Sequence, residues 1–180
     1  MFWIYFEGKN SVLNKKQINV LLVDDEEVLL NAIRRRLEFR DFHVIAVDSG
    51  EKALLAAREN PVDVAIVDLK MPGMNGREVM LALKKAYPWM EVIILTGHGS
   101  FDPEEGEVAG KIHTCLAKPC DVETLQEVLI DAYKKTVMNR NQIKLREMDE
   151  LLKDVETESP GAILRKLKKI DENRSLKPRT

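Results

Sequence analysis

The stretch VLLVDDEEVLL, residues 20–30, joins an apolar run to four consecutive acidic residues. Residues 18–23, INVLLV, are β-branched or leucine at every position but one, which is typical of a strand buried on both faces of a parallel sheet. Four like charges follow this strand directly: Asp24, Asp25, Glu26 and Glu27. Like charges held close together disfavour one another unless a cation compensates them. The stretch therefore predicts a buried strand that ends at a charged site.

Outward from this stretch, apolar runs and helical patterns alternate five times. Further strands are predicted at 43–48, 62–69, 91–97 and 114–119. Helices are predicted at 26–39, 50–59, 76–87, about 103–111, and from Asp121 onward. The helix at 103–111 contains Gly106 and Gly110, each of which costs about 1 kcal/mol relative to Ala. This alternation predicts an α/β fold, a doubly wound parallel sheet with helices on both faces.

The first helix has a predicted apolar stripe, in which side chains recur at helical spacing: Val28, Leu29, Ala32, Ile33 and Leu37. We expect this stripe to pack on the sheet.

The composition is that of a globular protein. The chain has 180 residues, of which 44% are hydrophobic and 32% charged. Its net charge of −2 gives no general attraction to nucleic acid or membrane.

Two cysteines, Cys115 and Cys120, are too few for a disulfide framework and lack metal-site spacing, so we expect free thiols and a cytoplasmic location. No apolar run is long enough for a membrane span. The first residues, MFWIYFEGKN, lack a basic leader and are interpreted as an N-terminal arm rather than a signal peptide.

Polar residues stand at the ends of four predicted strands. In sheets of this kind, sites lie at the carboxyl ends of the strands. These ends carry, in chain order, the Asp24 and Asp25 pair, Asp68, Thr96 and Lys118. We therefore expect three carboxylates, one hydroxyl and one ammonium group in a single crevice.

This combination of groups indicates phosphoryl transfer at a magnesium site. Mg²⁺ prefers oxygen ligands and is bound through one or two carboxylates together with phosphate oxygens. Aspartate can act as a nucleophile and form a covalent phosphate intermediate. Asp68 is the predicted nucleophile, because it ends a central strand and leads into the turn KMPGMNG. Lys118 and Thr96 are predicted to meet the phosphoryl oxygens.

The chain resembles the receiver domain of two-component response regulators. Four segments carry the resemblance: VLLVDDEE, VDVAIVDLKMPGMNG, VIILTG and LAKP, within about residues 18–135. The resemblance implies a flavodoxin-like sheet in the strand order 2-1-3-4-5 with five helices. It further implies a phosphorylated switch rather than a turnover enzyme.

The resemblance also implies a role for each site residue. Asp68 corresponds to the phosphoacceptor, and Asp24 and Asp25 to the acidic pair that organises Mg²⁺. Asp68 would add a carboxylate oxygen to the metal, and Lys70 its backbone carbonyl. Thr96 corresponds to the switch hydroxyl and Lys118 to the lysine that contacts the phosphoryl group. The phosphoryl group would come from a sensor histidine kinase or a phosphotransfer protein, and the output would be new protein contacts of the face formed by helix 4, strand 5 and helix 5.

Two features depart from the family pattern. Cys115 stands where the family usually has an aromatic residue of the switch, and the predicted fourth helix is acidic and contains glycine. Lys70 and His98, each two residues after a site residue, are predicted to flank the path of attacking water and to set the lifetime of the phosphate.

Residues 136–180 form a predicted helical extension, beyond a receiver domain at 18–135 and an arm at 1–17. An apolar seam recurs at Met138, Leu145, Met148, Leu152 and Val155, which is compatible with a dimeric coiled coil or with packing on the same domain. Residues 147–158 carry a net charge of −5 and residues 159–180 a net charge of +5. Ser159 and Pro160 are predicted to begin a second helix.

Three other functions are compatible with parts of this pattern. A dehalogenase-type phosphohydrolase would require D-x-D-x-T after the first strand, which VDDEEVL does not supply. A degenerate receiver could serve as a scaffold without phosphorylation. The chain could also be the receiver fragment of a transcription regulator, although no DNA-binding motif is evident in it.

Overall fold

The computed structural model describes residues 17–97 and 110–155. The strands are β1 Asn19–Val23, β2 His43–Val47, β3 Val64–Asp68, β4 Glu91–Thr96 and β5 Thr114–Ala117. The helices are α1 Glu27–Glu38, α2 Gly50–Glu59, α3 Gly76–Ala86 and α4 Val122–Val155. Helix α4 is the fifth predicted helix. The predicted fourth helix, 103–111, falls almost wholly on residues 98–109, outside the described part, so four of the five predicted helices are described.

The five strands form one parallel sheet in the order β2-β1-β3-β4-β5. This is the doubly wound, flavodoxin-like topology that the sequence predicts. Strand β3 is buried at every position, as expected for the centre of such a sheet. In the register, Val23 of β1 lies beside Val67 of β3, and Asp68 lies beside Leu95 of β4. The carboxyl ends of β1, β3 and β4 therefore meet at one edge of the sheet.

Apolar side chains pack on both faces of the sheet. One cluster joins the sheet to α2 and α3 and contains Ala53, Val79 and Leu83. The other joins the sheet to α1 and α4 and contains Leu30, Leu37 and Leu129. Each helix thus covers the sheet with one apolar stripe, as the periodicity requires.

The stripe predicted for α1 is wrong at two of its five residues, Val28 and Ala32, which are both exposed. Val28 is 87% exposed, whereas Leu30, which the predicted stripe omits, is buried together with Leu37. The helix contains enough apolar residues for two overlapping stripes, and contact with β2 and α4 selects the one that includes Leu30.

Helix α4 is continuous across the predicted domain boundary at 135/136. Beyond that boundary, Thr136, Asn139 and Arg140 still contact the starts of β3 and β4. Residues 1–16 of the predicted N-terminal arm at 1–17, and the second helix predicted from Ser159, lie outside the described residues. Within the described ranges, no helix combines the length and the apolar character needed to cross a bilayer.

Candidate phosphoacceptor and metal site

The site begins at the ends of the neighbouring strands β1 and β3. Asp24 follows β1 and is fully buried, and Asp68 ends β3 with 4% exposure. Asp24 is fixed by its backbone N–H, which donates to Val47 O at 3.2 Å. Asp25 is exposed. One carboxylate oxygen from each of these three residues lies within 4.8 Å of the other two. The predicted cluster of three carboxylates is therefore present in the fold.

Lys118 lies between the two buried carboxylates. Its Nζ is 2.6 Å from Asp24 Oδ2 and 2.7 Å from Asp68 Oδ1. The residue follows β5, two strands away from β3, so its long side chain crosses the end of β4 to reach them. The Lys118–Pro119 peptide bond is cis. One ammonium group thus compensates two carboxylates.

Burial and charge act in opposite directions on these groups. Burial raises the pKa of Asp68, and the hydrogen bond and charge of Lys118 offset only part of this effect. For Lys118, burial acts to lower the pKa, but the hydrogen bonds and charges of Asp24 and Asp68 outweigh it and raise the pKa overall. Lys118 is therefore a firmly held cation, and Asp68 is a carboxylate in surroundings that disfavour its charge.

The remaining oxygens of the two buried carboxylates are held by the backbone. Asp68 Oδ2 accepts a hydrogen bond from Lys70 N at 2.9 Å, and Asp24 Oδ1 accepts one from Glu26 N at 2.9 Å. Each bond spans two residues, so the turn after the strand orients the carboxylate at the strand end. Lys70, predicted as a metal ligand through its carbonyl, contacts Asp68 through its N–H.

Thr96 is the last residue of β4 and is buried beside this cluster. Its carbonyl accepts a hydrogen bond from Lys118 N at 2.7 Å, which ties the end of β4 to the residue that carries the ammonium group. All five predicted strand-end residues therefore lie at one edge of the sheet. His98 lies outside the described residues.

Cys115 lies in the middle of β5, beside Ile94 of β4. It is half-buried and packs against the cluster under α2 and α3. Burial raises the pKa of its thiol. In this structure Cys115 is thus a small apolar packing residue at the position where the family usually has an aromatic residue.

Two further residues of the site were not singled out from the sequence. A side-chain carbon at Gly76 would lie 2.1 Å from Asp68 O, so only glycine permits α3 to begin against the backbone of Asp68. The turn before it contains Gly73 at φ +74° and is closed by Asn75 and Glu78, which cap α3 reciprocally. Glu26 Oε1 lies 3.7 Å from Lys118 Nζ. Gly76 belongs to the turn KMPGMNG and Glu26 to the acidic run. The contact of Gly76 with the backbone of Asp68, and that of Glu26 with Lys118, cannot be predicted without the fold.

The donor set at this edge suits a hard divalent cation. Three carboxylates lie close together, with the ammonium group of Lys118 between two of them. Carboxylate oxygens are ligands of the kind that Mg²⁺ prefers. Asp24, Asp25 and Asp68 are the residues that would hold it.

Comparison with known proteins places this arrangement in a family. The family model of the response regulator receiver domain matches residues 20–130, more than half of the chain. The transcriptional regulatory protein GlrR of Escherichia coli (strain K12) is 29% identical over 149 residues, which cover 77% of this chain and 34% of that protein. A putative response regulator NtrX-like of Rickettsia bellii (strain RML369-C) is 32% identical over 131 residues, which cover 72% of this chain and 27% of that protein. The chain spans about a third or less of the length of these relatives.

Solved structures give the same result for the fold. A response regulator receiver domain protein from Clostridium thermocellum has a TM-score of 0.62 and 31% identity, and the match covers 67% of this chain and 98% of that chain. Chemotaxis protein CheY4 of Vibrio cholerae has a TM-score of 0.61 and 29% identity, over 65% of this chain and 99% of that chain. With the sheet order and the matched region, these similarities show that the chain belongs to the response regulator receiver domain family.

Proposed function

We propose that this chain accepts a phosphoryl group on Asp68 from a phosphohistidine of a sensor histidine kinase or a phosphotransfer protein. The observation that carries the proposal is the placement of Asp68, which is buried, oriented by Lys70 N and within 2.7 Å of Lys118 Nζ, beside the acidic pair. A carboxylate whose pKa is perturbed by burial and that has a specific charge partner is typical of a functional site.

In the proposed reaction, an oxygen of Asp68 attacks the phosphorus atom. The new O–P bond forms as the P–N bond to the donor histidine breaks, and the electron pair of that bond leaves with the imidazole. Lys118 compensates negative charge on the phosphoryl oxygens, and the hydroxyl of Thr96 donates a hydrogen bond to one of them. Mg²⁺, when bound by Asp24, Asp25 and Asp68 with the carbonyl of Lys70, would supply further positive charge.

The proposed output is a change in protein contacts rather than a released product. The phosphoryl group carries about −1.5 to −2 charges in place of the single negative charge of the Asp68 carboxylate, and it draws Thr96 toward it. The carbonyl of Thr96 is bonded to Lys118 N, directly after β5, and β5 packs in the same apolar cluster as α4, which is the predicted helix 5. The proposed contact surface is therefore the face formed by the predicted fourth helix, β5 and α4. Each chain carries one phosphoacceptor, which suits a signalling switch and not a turnover enzyme. The downstream target is not specified by these features.

The proposed organisation is an arm at 1–17, a receiver domain at 18–135 and a helical extension at 136–180. The relative GlrR is named as a transcriptional regulatory protein, and this chain matches only about a third of its length. An alternative proposal is therefore that the chain is the receiver fragment of a transcription regulator. The other alternative, a scaffold that works without phosphorylation, is favoured only by Cys115 and by the acidic, glycine-containing sequence of the predicted fourth helix.

A homodimer through α4 is a second candidate for the output. Met138, Leu145 and Met148 of the predicted seam are 61%, 58% and 56% exposed, so within the described residues they are not covered by the same chain. Their spacing of seven and three residues is that of a coiled-coil stripe. Sedimentation velocity of the full chain and of a variant with these three residues changed to Gln, before and after phosphorylation, tests the dimer. A mass that is monomeric and identical in every case would contradict it.

The phosphoacceptor is tested by intact-mass spectrometry after incubation with acetyl phosphate and Mg²⁺. We expect a gain of one phosphoryl group that requires Mg²⁺ and disappears in Asp68→Asn. Asp48→Asn is the matched control, because Asp48 follows β2 at the same edge but is exposed and paired with Lys52. An adduct that persists in Asp68→Asn would contradict the assignment of the residue. No adduct in the unaltered chain would favour the scaffold.

A further inference from the structure

Glu26 lies at the rim of the phosphoacceptor site, directly after the acidic pair. Its Oε1 is 3.7 Å from Lys118 Nζ, and its side chain is 68% exposed. The same ammonium group contacts Asp24 at 2.6 Å and Asp68 at 2.7 Å, and both of these residues are buried. Asp24 and Asp68 therefore hold Lys118 from the interior, whereas Glu26 contacts it from the solvent side.

The main chain of Glu26 is fixed independently of its carboxylate. Its N–H donates to Asp24 Oδ1 at 2.9 Å, and its carbonyl accepts a hydrogen bond from Leu30 N at 2.8 Å, at the start of α1. Neither bond involves the side chain of Glu26. Replacement of the carboxylate by an amide would thus change the charge at the rim and retain the bond that orients Asp24.

The carboxylate of Glu26 lies close to the place of a phosphoryl group on Asp68. Lys118 Nζ is 2.7 Å from Asp68 Oδ1 and 3.7 Å from Glu26 Oε1, so these two oxygens are at most about 6.4 Å apart. The side chain of Lys118 is largely buried, and Glu26 lies on its solvent side. A phosphoryl oxygen that approaches Lys118 from solvent therefore meets the charge of Glu26 at the same nitrogen.

The charges of this cluster disfavour the entry of a free anion. The ionised carboxylates of Asp24, Asp25, Glu26 and Asp68 meet the one ammonium group of Lys118. Even when a divalent cation is bound, these four negative charges outnumber the positive charges of the cation and the ammonium group. In the proposed reaction Glu26 neither holds the metal nor receives the phosphoryl group, so its charge adds repulsion alone.

We propose that Glu26 is a specificity-determining residue, which competes with phosphoryl oxygens for Lys118 and so disfavours small, free phosphodonors. This inference rests on the proposed function of Asp68. A phosphohistidine in a protein meets the same repulsion, but contacts of the donor protein away from the site can offset it. A free anion such as acetyl phosphate has no such contacts. Glu26 thus favours transfer from a protein donor.

The first test is the rate of labelling by acetyl phosphate, which is a doubly charged anion at neutral pH. With Mg²⁺ present and at an ionic strength of about 0.1 M, we expect Glu26→Gln to be labelled about three to ten times faster than the unaltered chain. An ionic strength of about 1 M shortens the Debye length from about 10 Å to about 3 Å and should remove most of this difference. Intact-mass spectrometry follows the labelling.

Two further variants separate the charge of Glu26 from other effects. Glu26→Asp retains the charge and should be labelled nearly as slowly as the unaltered chain. Glu27→Gln removes the next acidic residue, which is exposed and is not a salt-bridge partner of Lys118 in the described part of the chain. We expect its rate to stay within about twofold of that of the unaltered chain.

A binding measurement does not depend on phosphoryl transfer. Methyl phosphate is a dianion that does not transfer its phosphoryl group, and its binding in the presence of Mg²⁺ is followed by the amide chemical shifts of Thr96 and Lys118. We expect its Kd to be at least about threefold lower for Glu26→Gln than for the unaltered chain.

The outcomes distinguish the role of Glu26 from that of Asp68. Equal, measurable rates of labelling in the unaltered chain and Glu26→Gln, or equal affinities for methyl phosphate, would overturn the role of Glu26. No labelling of either protein, with tighter methyl phosphate binding by Glu26→Gln, would overturn the proposed function and support the competition of Glu26 for Lys118.

Discussion

Replacement of Lys118 by Met removes the positive charge that lies between Asp24 and Asp68 and retains a side chain of similar length. Lys118 is 13% exposed, and the side chains of Asp24 and Asp68 are 0% and 6% exposed, so both ion pairs of Lys118 are buried. Removal of one partner from a buried ion pair costs about 3–5 kcal/mol, because the other charge remains without compensation. We expect the free energy of unfolding to fall by about 3 kcal/mol in EDTA at pH 8.

The assay is urea unfolding followed by circular dichroism, with EDTA and then with MgCl₂. Lys52→Met is the matched control, because its ammonium group lies 2.7 Å from Asp48 Oδ2 while both side chains are at least half exposed, and we expect little change from it. On the proposed function, Mg²⁺ replaces the missing positive charge and should stabilise Lys118→Met more than the unaltered chain.

The same reasoning fixes the pH dependence of the variant. A buried carboxylate without a cation favours its neutral form, so the folded variant binds protons more tightly than the unfolded chain. Its loss of stability should therefore shrink as the pH falls from 8 to 5. A loss no larger than that of Lys52→Met, or one that stays constant with pH, would refute the view that Lys118 holds two buried carboxylates together.

Three other predictions concern the backbone and the buried polar groups. Gly76→Ala should lower the free energy of unfolding by about 1–3 kcal/mol and slow phosphorylation, because the added carbon collides with the backbone of Asp68. Gly97→Ala is the control and should do neither, because the space around Gly97 is open. Chemical unfolding and labelling with acetyl phosphate check both variants. Thr136→Val removes the hydroxyl that joins the starts of β3 and β4, and should cost about 2–4 kcal/mol in urea unfolding, while Thr136→Ser should cost less. Burial raises the pKa of Asp68, so its charged form opposes folding above that pKa: Asp68→Asn should raise the urea midpoint at pH 7, and the gain should vanish toward pH 4.

Residues that act through local rules were predicted well from the sequence. Helix α2 has the predicted bounds, 50–59, because Ser49 caps its start and the chain turns extended at Asn60, just before Pro61. The strand ends were predicted to carry the site because parallel topology brings them to one edge, and the order β2-β1-β3-β4-β5 confirms that topology. The face of α1 was predicted less well, since overlapping apolar stripes left the choice between Val28 and Leu30 to tertiary contacts.

Contacts between distant residues could not be predicted. Thr136 bridges Asp63 O and Glu91 N across 73 and 45 residues of sequence, and each of the three residues is unremarkable in its own segment. The buried acids Asp63 and Glu91 show no pattern that would distinguish them from surface charges. For the same reason the predicted boundary at 135/136 was placed where the family resemblance ends, although packing against the sheet continues to Arg140.

Because α4 is continuous, a rotation of the part that packs on the sheet also moves the part that extends beyond the sheet. The 34 residues of α4 span about 50 Å, and the part beyond Arg140, residues 141–155, accounts for about 22 Å of that length. At a rise of 1.5 Å per residue, a rotation of about 5° at Arg140 would displace the C-terminal end of α4 by about 2 Å. A rearrangement at the sheet that is too small to alter the packing of the sheet would thus cause a larger displacement at the C-terminal end of α4. A partner that binds this end would respond to the rearrangement far from the phosphoacceptor.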